Sequence, residues 1–305
     1  MQSVSPGHHA VIDVGSNSAR LEIVRWTGER LVPLHRDRML TRLGVPGPGG
    51  RLDPDAAERA IEAVAAFAEE ARRHDVASPR IVATAAVRQA PDGSDFAEAV
   101  HAATGLALEV LTPEAEAMAV LRSARHAGID AAGLAVVDIG GGSSEVIVER
   151  SGEVVHVASM PLGAVNLSSR FDQSDVIEPA RHDAMRSEIH GALGSMLPAS
   201  LPAIDTGVGV GGSFTTLARV FGASADGVEG FVLERSMVAR LSSRLTGLDA
   251  DGRVGIDGID PMRSGIIVAG VTLVELVMEA LELDRIVVHD GGVARGILLA
   301  ACSQG

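Results

Sequence analysis

Residues 135–153 read AVVDIGGGSSEVIVERSGE, an apolar run followed by an acid, three consecutive glycines and two serines. Three glycines in a row leave the main chain bare. Bare N–H groups after a strand form a concavity that holds phosphate oxygens without any basic side chain. Gly140, Gly141 and Gly142 would give that approach, with the Ser143 and Ser144 hydroxyls as added donors. DVGSNS offers Ser16, Asn17 and Ser18 in the same way. GVGGS brings Gly211, Gly212 and Ser213 to a helix start, where the dipole favours anions. The chemistry suggested is the binding of a polyanion by backbone.

Acids flank these turns. Asp13, Asp138 and Glu145 repel a phosphate unless a cation lies between, and Mg2+ held by carboxylates and phosphate oxygens is the usual answer; taken singly, each acid equally suits a turn cap. Arg88 closes the apolar run RIVATAAV, where a guanidinium calls for an anion or an acid. Arg20, Arg42 and Arg51 read as ordinary surface residues. Glu114 and Glu116 stand in the first turn of a helix opening at Thr112-Pro113, either as dipole partners or with one as a general base; spacing does not choose between them. There is no Lys and hence no Walker loop, and the glycines lead into a second strand, which excludes a dinucleotide fingerprint. The ten histidines show no paired ligand spacing, so zinc is not expected, and no G-x-S-x-G elbow is present.

The elements that must carry these groups alternate. HAVIDVGSNSARLEIVRWTGERLVPLHRDR reads as two β-rich runs broken at TGER. Asp53 caps a helix with Pro54 at its first position. RIVATAAV reads as a strand, and a helix capped by Ser94 or Asp95 ends at Gly105. LALEVLT is a strand, followed by the Pro113 helix. Further helices are expected at 178–196, 213–222 and 234–246 and from about Asp260, with strands TGVGVGGS and RIVVHD and a final helix after GGVARG. The order is α/β. AVIDVGSNSARLEIVRWTGE and AVVDIGGGSSEVIVERSGE match as strand, acid, glycine turn, strand, with Asp13 and Asp138 in register. This duplication predicts two domains, 1–120 and 121–305, with the last helix free to pack back on the first, and turns that face one another across a central cleft.

The chain has 305 residues, a size that favours two domains, and 46% are hydrophobic. All 26 basic residues are Arg, and the formal net charge is −14, which argues against nucleic-acid or anionic-membrane partners. A single cysteine, Cys302, fits a reducing compartment. The amino-terminal stretch lacks a signal-peptide pattern and SGIIVAGVTLVELVMEALEL carries Glu275 and Glu279, so a cytoplasmic protein is expected.

IDVGSNSARLEIVR, VATAAVRQA, VVDIGGGSSEVIV, MPLGAVNLSSRF, GVGGSFTTLA and DGIDPMRSGIIVAGVTLVELVMEAL, in that order, resemble the exopolyphosphatase/guanosine pentaphosphate phosphohydrolase (Ppx/GppA) family over nearly the whole chain. The resemblance implies two duplicated ribonuclease H-like domains of the actin/Hsp70/sugar-kinase superfamily, a homodimer, and release of terminal orthophosphate from inorganic polyphosphate assisted by Mg2+ or Mn2+. Guanosine pentaphosphate hydrolysis, a sugar or acid kinase, and a catalytically weakened sensor are the rivals. It further implies Glu116 as the water-activating base, Asp138 and Glu145 as metal-linked acids, Arg88 as a phosphate-facing arginine, and the three glycine–serine turns as phosphate contacts. TPEAEA at 112–117 departs from the family's S-G-x-E-E-A by Pro113 and Ala115, and DGGVARG at 290–296 departs from D-x-G-L-R-E-G by Ala294 and Arg295. The chain resembles the family's short form, for which a preference for shorter polyphosphate is expected.

Overall fold

The computed structural model describes residues 7–129, 131–171, 175–224 and 227–303. The chain divides into two compact units, one of residues 1–123 with 293–305 and one of residues 124–292.

The first unit opens with β1 (Gly7–Val14), β2 (Ser18–Trp26) and β3 (Leu31–Leu40). The glycine turn Gly15-Ser16-Asn17 separates β1 from β2, as the repeated pattern reads, and the break at Thr27–Arg30 separates β2 from β3. Helix α1 (Pro54–Arg73) starts as read, with the Asp53 carboxylate accepting the Ala56 N–H at 2.9 Å. Its stripe of Ala60, Val64, Phe67 and Ala71 is buried on the sheet with Ile12 and Ile23. Strand β4 (Arg80–Ala83) is shorter than expected, and the alanine-rich continuation coils into α2 (Ala85–Gln89), carrying Arg88 on a helix rather than a strand end. Helix α3 (Gly93–Thr104) begins before the expected caps Ser94 and Asp95, with Asp92 at the N-cap position, where its carboxylate accepts the Leu52 N–H at 3.0 Å rather than capping the helix. Strand β5 (Leu108–Val110) and α4 (Pro113–His126) follow, and the sheet order is β3-β2-β1-β4-β5.

The second unit repeats the plan with β6 (Gly133–Ile139), β7 (Ser144–Arg150) and β8 (Glu153–Met160). Then come α5 (Ala164–Phe171), α6 (Pro179–Met196), β9 (Thr206–Val210), α7 (Gly212–Val220), β10 (Val232–Glu234) and α8 (Arg235–Thr246). After α9 (Ala250–Val254), the expected long helix from Asp260 is split. Asp260 caps a single 3-10 turn, Pro261–Arg263, and α10 (Ile267–Ala280) begins after Gly265 and Ile266. Strand β11 (Arg285–His289) completes a sheet of order β10-β11-β9-β6-β7-β8. The last helix, α11 (Val293–Ser303), belongs to the first unit. It sits so close to α4 that a carbon on Gly296 would meet the Ala119 carbonyl oxygen at 1.8 Å.

The duplication extends to register. Asp13 pairs with Arg20 across β1 and β2, and Asp138 pairs with Glu145 across β6 and β7, a constant offset of 125 residues. The β-bulge recurs at the same offset, between Ile23 and Val24 and between Val148 and Glu149. A shared bulge marks a shared strand architecture.

Candidate active site

The glycine turn of the second unit is built from the backbone outward. The Gly140 N–H donates to the Ser143 carbonyl at 3.0 Å, closing the turn. The Gly140 carbonyl accepts from Ala164 N–H at 3.0 Å, and the Gly141 carbonyl accepts from Val165 N–H at 2.8 Å. The Asn166 side-chain amide donates to the Gly142 carbonyl at 2.9 Å. Three successive carbonyls are therefore tied to the start of α5. In a trans peptide the N–H of the next residue points opposite to the carbonyl, so the amides of Gly141, Gly142 and Ser143 all turn away from α5. None has a protein acceptor among the described residues. Gly142 and Ser143 are buried, and a buried N–H without an acceptor is rare in folded chains. The arrangement calls for an anion from outside the chain.

This placement requires Gly163, where an added carbon would lie 2.4 Å from the Gly141 carbonyl oxygen. The first unit uses the same device. The Gly15 N–H closes onto the Ser18 carbonyl at 3.2 Å, Gly44 N–H donates to the Ser16 carbonyl at 2.7 Å, and Thr41 and Arg42 N–H groups donate to the Asn17 carbonyl. A carbon on Gly44 would meet the Ser16 Cβ at 2.5 Å. Arg42 adopts a left-handed conformation with φ 56°, which a non-glycine residue rarely takes. Gly44, Gly163 and Asn166 were not singled out in the sequence. The signal was there in the matching Leu-Gly pairs, Leu43-Gly44 and Leu162-Gly163, each after the third strand of its hairpin.

The third turn lies at the start of α7. Gly211, at φ 96°, has no room for a side chain because Asp138 Oδ1 would lie 2.7 Å from it. Gly212 lies under the Arg263 guanidinium, 1.7 Å from where a carbon would stand. Arg263, buried on the 3-10 turn before α10, is a further residue that sequence reading missed, because that turn was read as helix. Ser213 is buried with its hydroxyl against Gly270, which leaves its backbone N–H as the group at the helix start. Ser144, expected to add a donor, instead gives its hydroxyl to the Leu162 carbonyl at 2.8 Å. It is a strand residue facing the interior.

Among the acids, Asp13 has its Oδ1 shut from solvent with no hydrogen-bond partner. Burial pushes its carboxyl above the ordinary value, and the Arg20 guanidinium opposes that rise. Asp138 and Glu145 are buried cross-strand neighbours, and Glu145 Oε1 accepts the Ser159 hydroxyl at 2.8 Å. The orphaned carboxylate oxygen of Asp13 is a donor of the kind that a hard divalent ion such as Mg2+ or Mn2+ takes, and the carboxylates of Asp138 and Glu145 in the second unit are donors of the same kind.

Helix α2 and α4 bring Arg88 and Glu116 together. Arg88 Nη1 donates to Glu116 Oε2 at 2.9 Å and to the Leu111 carbonyl at 2.8 Å. Glu116 is buried, whereas Glu114 on the same turn is not. The ion pair orients the glutamate, and the rest of the guanidinium fork is left for another acceptor.

Two α/β units, each a mixed sheet headed by a hairpin whose turn has its carbonyls bound by a later segment, define an actin-like, ribonuclease H-like protein. The chain belongs to the Ppx/GppA phosphatase family, whose model matches residues 22–304. It is 29% identical to exopolyphosphatase 1 of Mycobacterium leprae, over 95% of this chain and 88% of that protein. It is 27% identical to a guanosine-5'-triphosphate,3'-diphosphate pyrophosphatase of Vibrio campbellii, over 97% of this chain but only 60% of that longer protein. The crystal structure of an Aquifex aeolicus family member superposes with a TM-score of 0.81 at 28% identity, covering 97% of this chain and 98% of the other. Among the described residues, no helix is long and apolar enough to cross a membrane.

Proposed function

We propose that this phosphatase shortens inorganic polyphosphate by one orthophosphate per turnover. The observation that supports it most is the row of amides at Gly141, Gly142 and Ser143 that have no acceptor among the described residues, while the preceding carbonyls of Gly140, Gly141 and Gly142 are tied to the start of α5. Backbone donors of this kind suit repeated phosphoryl oxygens and read no base. In the step itself, a water oxygen bonds to the terminal phosphorus while the bond from that phosphorus to the bridging oxygen breaks. The water proton passes to Glu116, and the shortened chain leaves with the bridging oxygen. Arg88 holds Glu116 in place and turns its remaining donors to phosphoryl oxygen. Ser16, Asn17, Ser18, Gly140, Gly211, Gly212 and Ser213 hold further oxygens in the same reading. Asp13, Asp138 and Glu145 are the residues that would hold Mg2+ or Mn2+, which when bound offsets the charge of the phosphates.

Guanosine pentaphosphate is the second reading, favoured by the Vibrio campbellii relative. Against it, the chain has one Trp, six Phe and no Tyr, which leaves little surface on which to stack a base. The test is kcat/KM for orthophosphate release from polyphosphates of defined length and from guanosine pentaphosphate, measured side by side with Mg2+. The proposal expects polyphosphate to exceed the nucleotide at least tenfold, and the reverse ratio would replace it.

A further inference from the structure

One cluster of metal-ligating side chains in the first unit takes no part in the phosphate turns. His35 on β3, Glu70 in the last turn of α1 and His74 at the end of that helix have their ligand atoms within 4.8 Å of one another. Glu70 Oε1 is already 3.3 Å from His74 Nε2. Metal–nitrogen bonds of about 2.0–2.1 Å at tetrahedral angles set neighbouring ligand atoms about 3.3–3.5 Å apart. That pair thus stands at chelating distance, and His35 has to close only a small gap.

The groups are also held from behind. Arg73 donates to the other oxygen of Glu70 at 2.9 Å, and the ring of His8 hydrogen-bonds the His74 carbonyl at 2.8 Å. Outer partners of this kind fix ligand orientation in metal sites. Finally, His35 Nε2 is buried without a hydrogen-bond partner, and its ring lies 5.3 Å from that of His74. Sequence reading found no ligand pair because His35 lies far from the other two in the chain; only the packing of α1 on the sheet joins them.

We propose that His35, Glu70 and His74 form a binding site for a divalent transition ion of the zinc or cobalt kind, fastening β3 to the end of α1. Two imidazoles and one carboxylate favour such ions over Mg2+, and three protein ligands leave the remaining positions to water. The duplication supplies an internal control. His156 pairs with Val148 as His35 pairs with Ile23, at the same bulge, and its Nε2 is likewise buried without a partner. Yet among the described residues His156 belongs to no such cluster.

The test is titration of the chelator-stripped full chain with Co2+ alone, followed by visible absorption and thermal melting. Wild type and His156→Ala should show imidazole-ligated Co2+ bands and a raised Tm. His35→Ala and Glu70→Gln should bind at least tenfold more weakly, while Mg2+-supported phosphate release stays unchanged. Equal Co2+ affinity in all four proteins would overturn the site, as would the absence of those bands in wild type. Should a variant fail to fold, imidazole 15N shifts of wild type with Zn2+ decide. Movement at His35 and His74 supports the site; movement only at other histidines, or none, refutes it.

Discussion

Asp13 keeps one carboxylate oxygen away from both solvent and hydrogen-bond donors, a position that costs stability when the group is ionised. Its folded carboxyl titrates above the unfolded one, because desolvation outweighs the nearby Arg20. The unfolded chain therefore loses its proton first. Stability falls as pH climbs from the unfolded value through the folded value, and stays reduced above both. Asp13→Asn should raise Tm at neutral pH, by roughly 2–4 °C for each kcal/mol recovered. That gain should vanish in acid, where both states of the wild type are protonated. Thermal melts of the two proteins across pH check this; a pH-independent difference would contradict it. The same variant should lower Mg2+-supported turnover, since the oxygen removed is one we assign to the metal. Glu22 shows the opposite situation, a buried acid with partners in hand. It accepts from Arg295 Nε at 3.0 Å and from Arg36 Nη2 at 3.1 Å.

At the scale of elements, Arg295 fastens α11 to β2, which gives a structural role to one of the residues that depart from the family pattern. Arg295→Ala should destabilise the chain by about 1–3 kcal/mol, the cost of removing one charged partner from a buried acid. Urea unfolding measures it, and an unchanged midpoint would show that Arg36 alone suffices. The glycine beneath the anion turn carries a second prediction. Gly163→Ala places a carbon against the Gly141 carbonyl, and backbone cannot swing aside as a flexible side chain does. Overpacking of this kind costs about 1–3 kcal/mol, and the displaced amides should raise KM for polyphosphate more than they lower kcat. A variant with wild-type KM would mean that the turn does not hold substrate. Legibility differed between elements for physical reasons. Helix α1 was readable because Asp53, Pro54 and its apolar stripe all act locally. RIVATAAV reads as a strand with Arg88 just after it because the run is apolar without a period, and only the structure shows the chain coiling after Thr84 so that Arg88 lies on a helix. Strand β8 and helix α5 went unread; β8 carries few buried residues, and α5 is only eight residues long. The turns themselves were legible because glycine has few other reasons to occur three in a row. What fastens them, Gly44, Gly163 and Asn166, was not, since each contact depends on a distant segment folding back.

For the molecule as a whole, duplication is the organising fact. The same offset relates the acids, the closing hydrogen bonds of the turns and the β-bulges, yet the two copies have diverged in what surrounds them. The first carries Arg88 and Glu116 beside its sheet; the second carries Asp138 against Gly211 and Arg263 against Gly212. With an excess of acids over bases, an anionic substrate is held where main-chain amides, a local guanidinium such as Arg88 and a cation offset the overall charge, which is the reading the turns support. The most direct measurement is steady-state orthophosphate release by Glu116→Gln alongside polyphosphate binding by the same protein. Glutamine keeps the size of the side chain and can still accept from Arg88, but it takes up no proton. The expected result is a fall in kcat of about 10²–10⁴ with binding and thermal stability retained. Turnover at the wild-type rate would remove Glu116 from the chemistry and contradict the account.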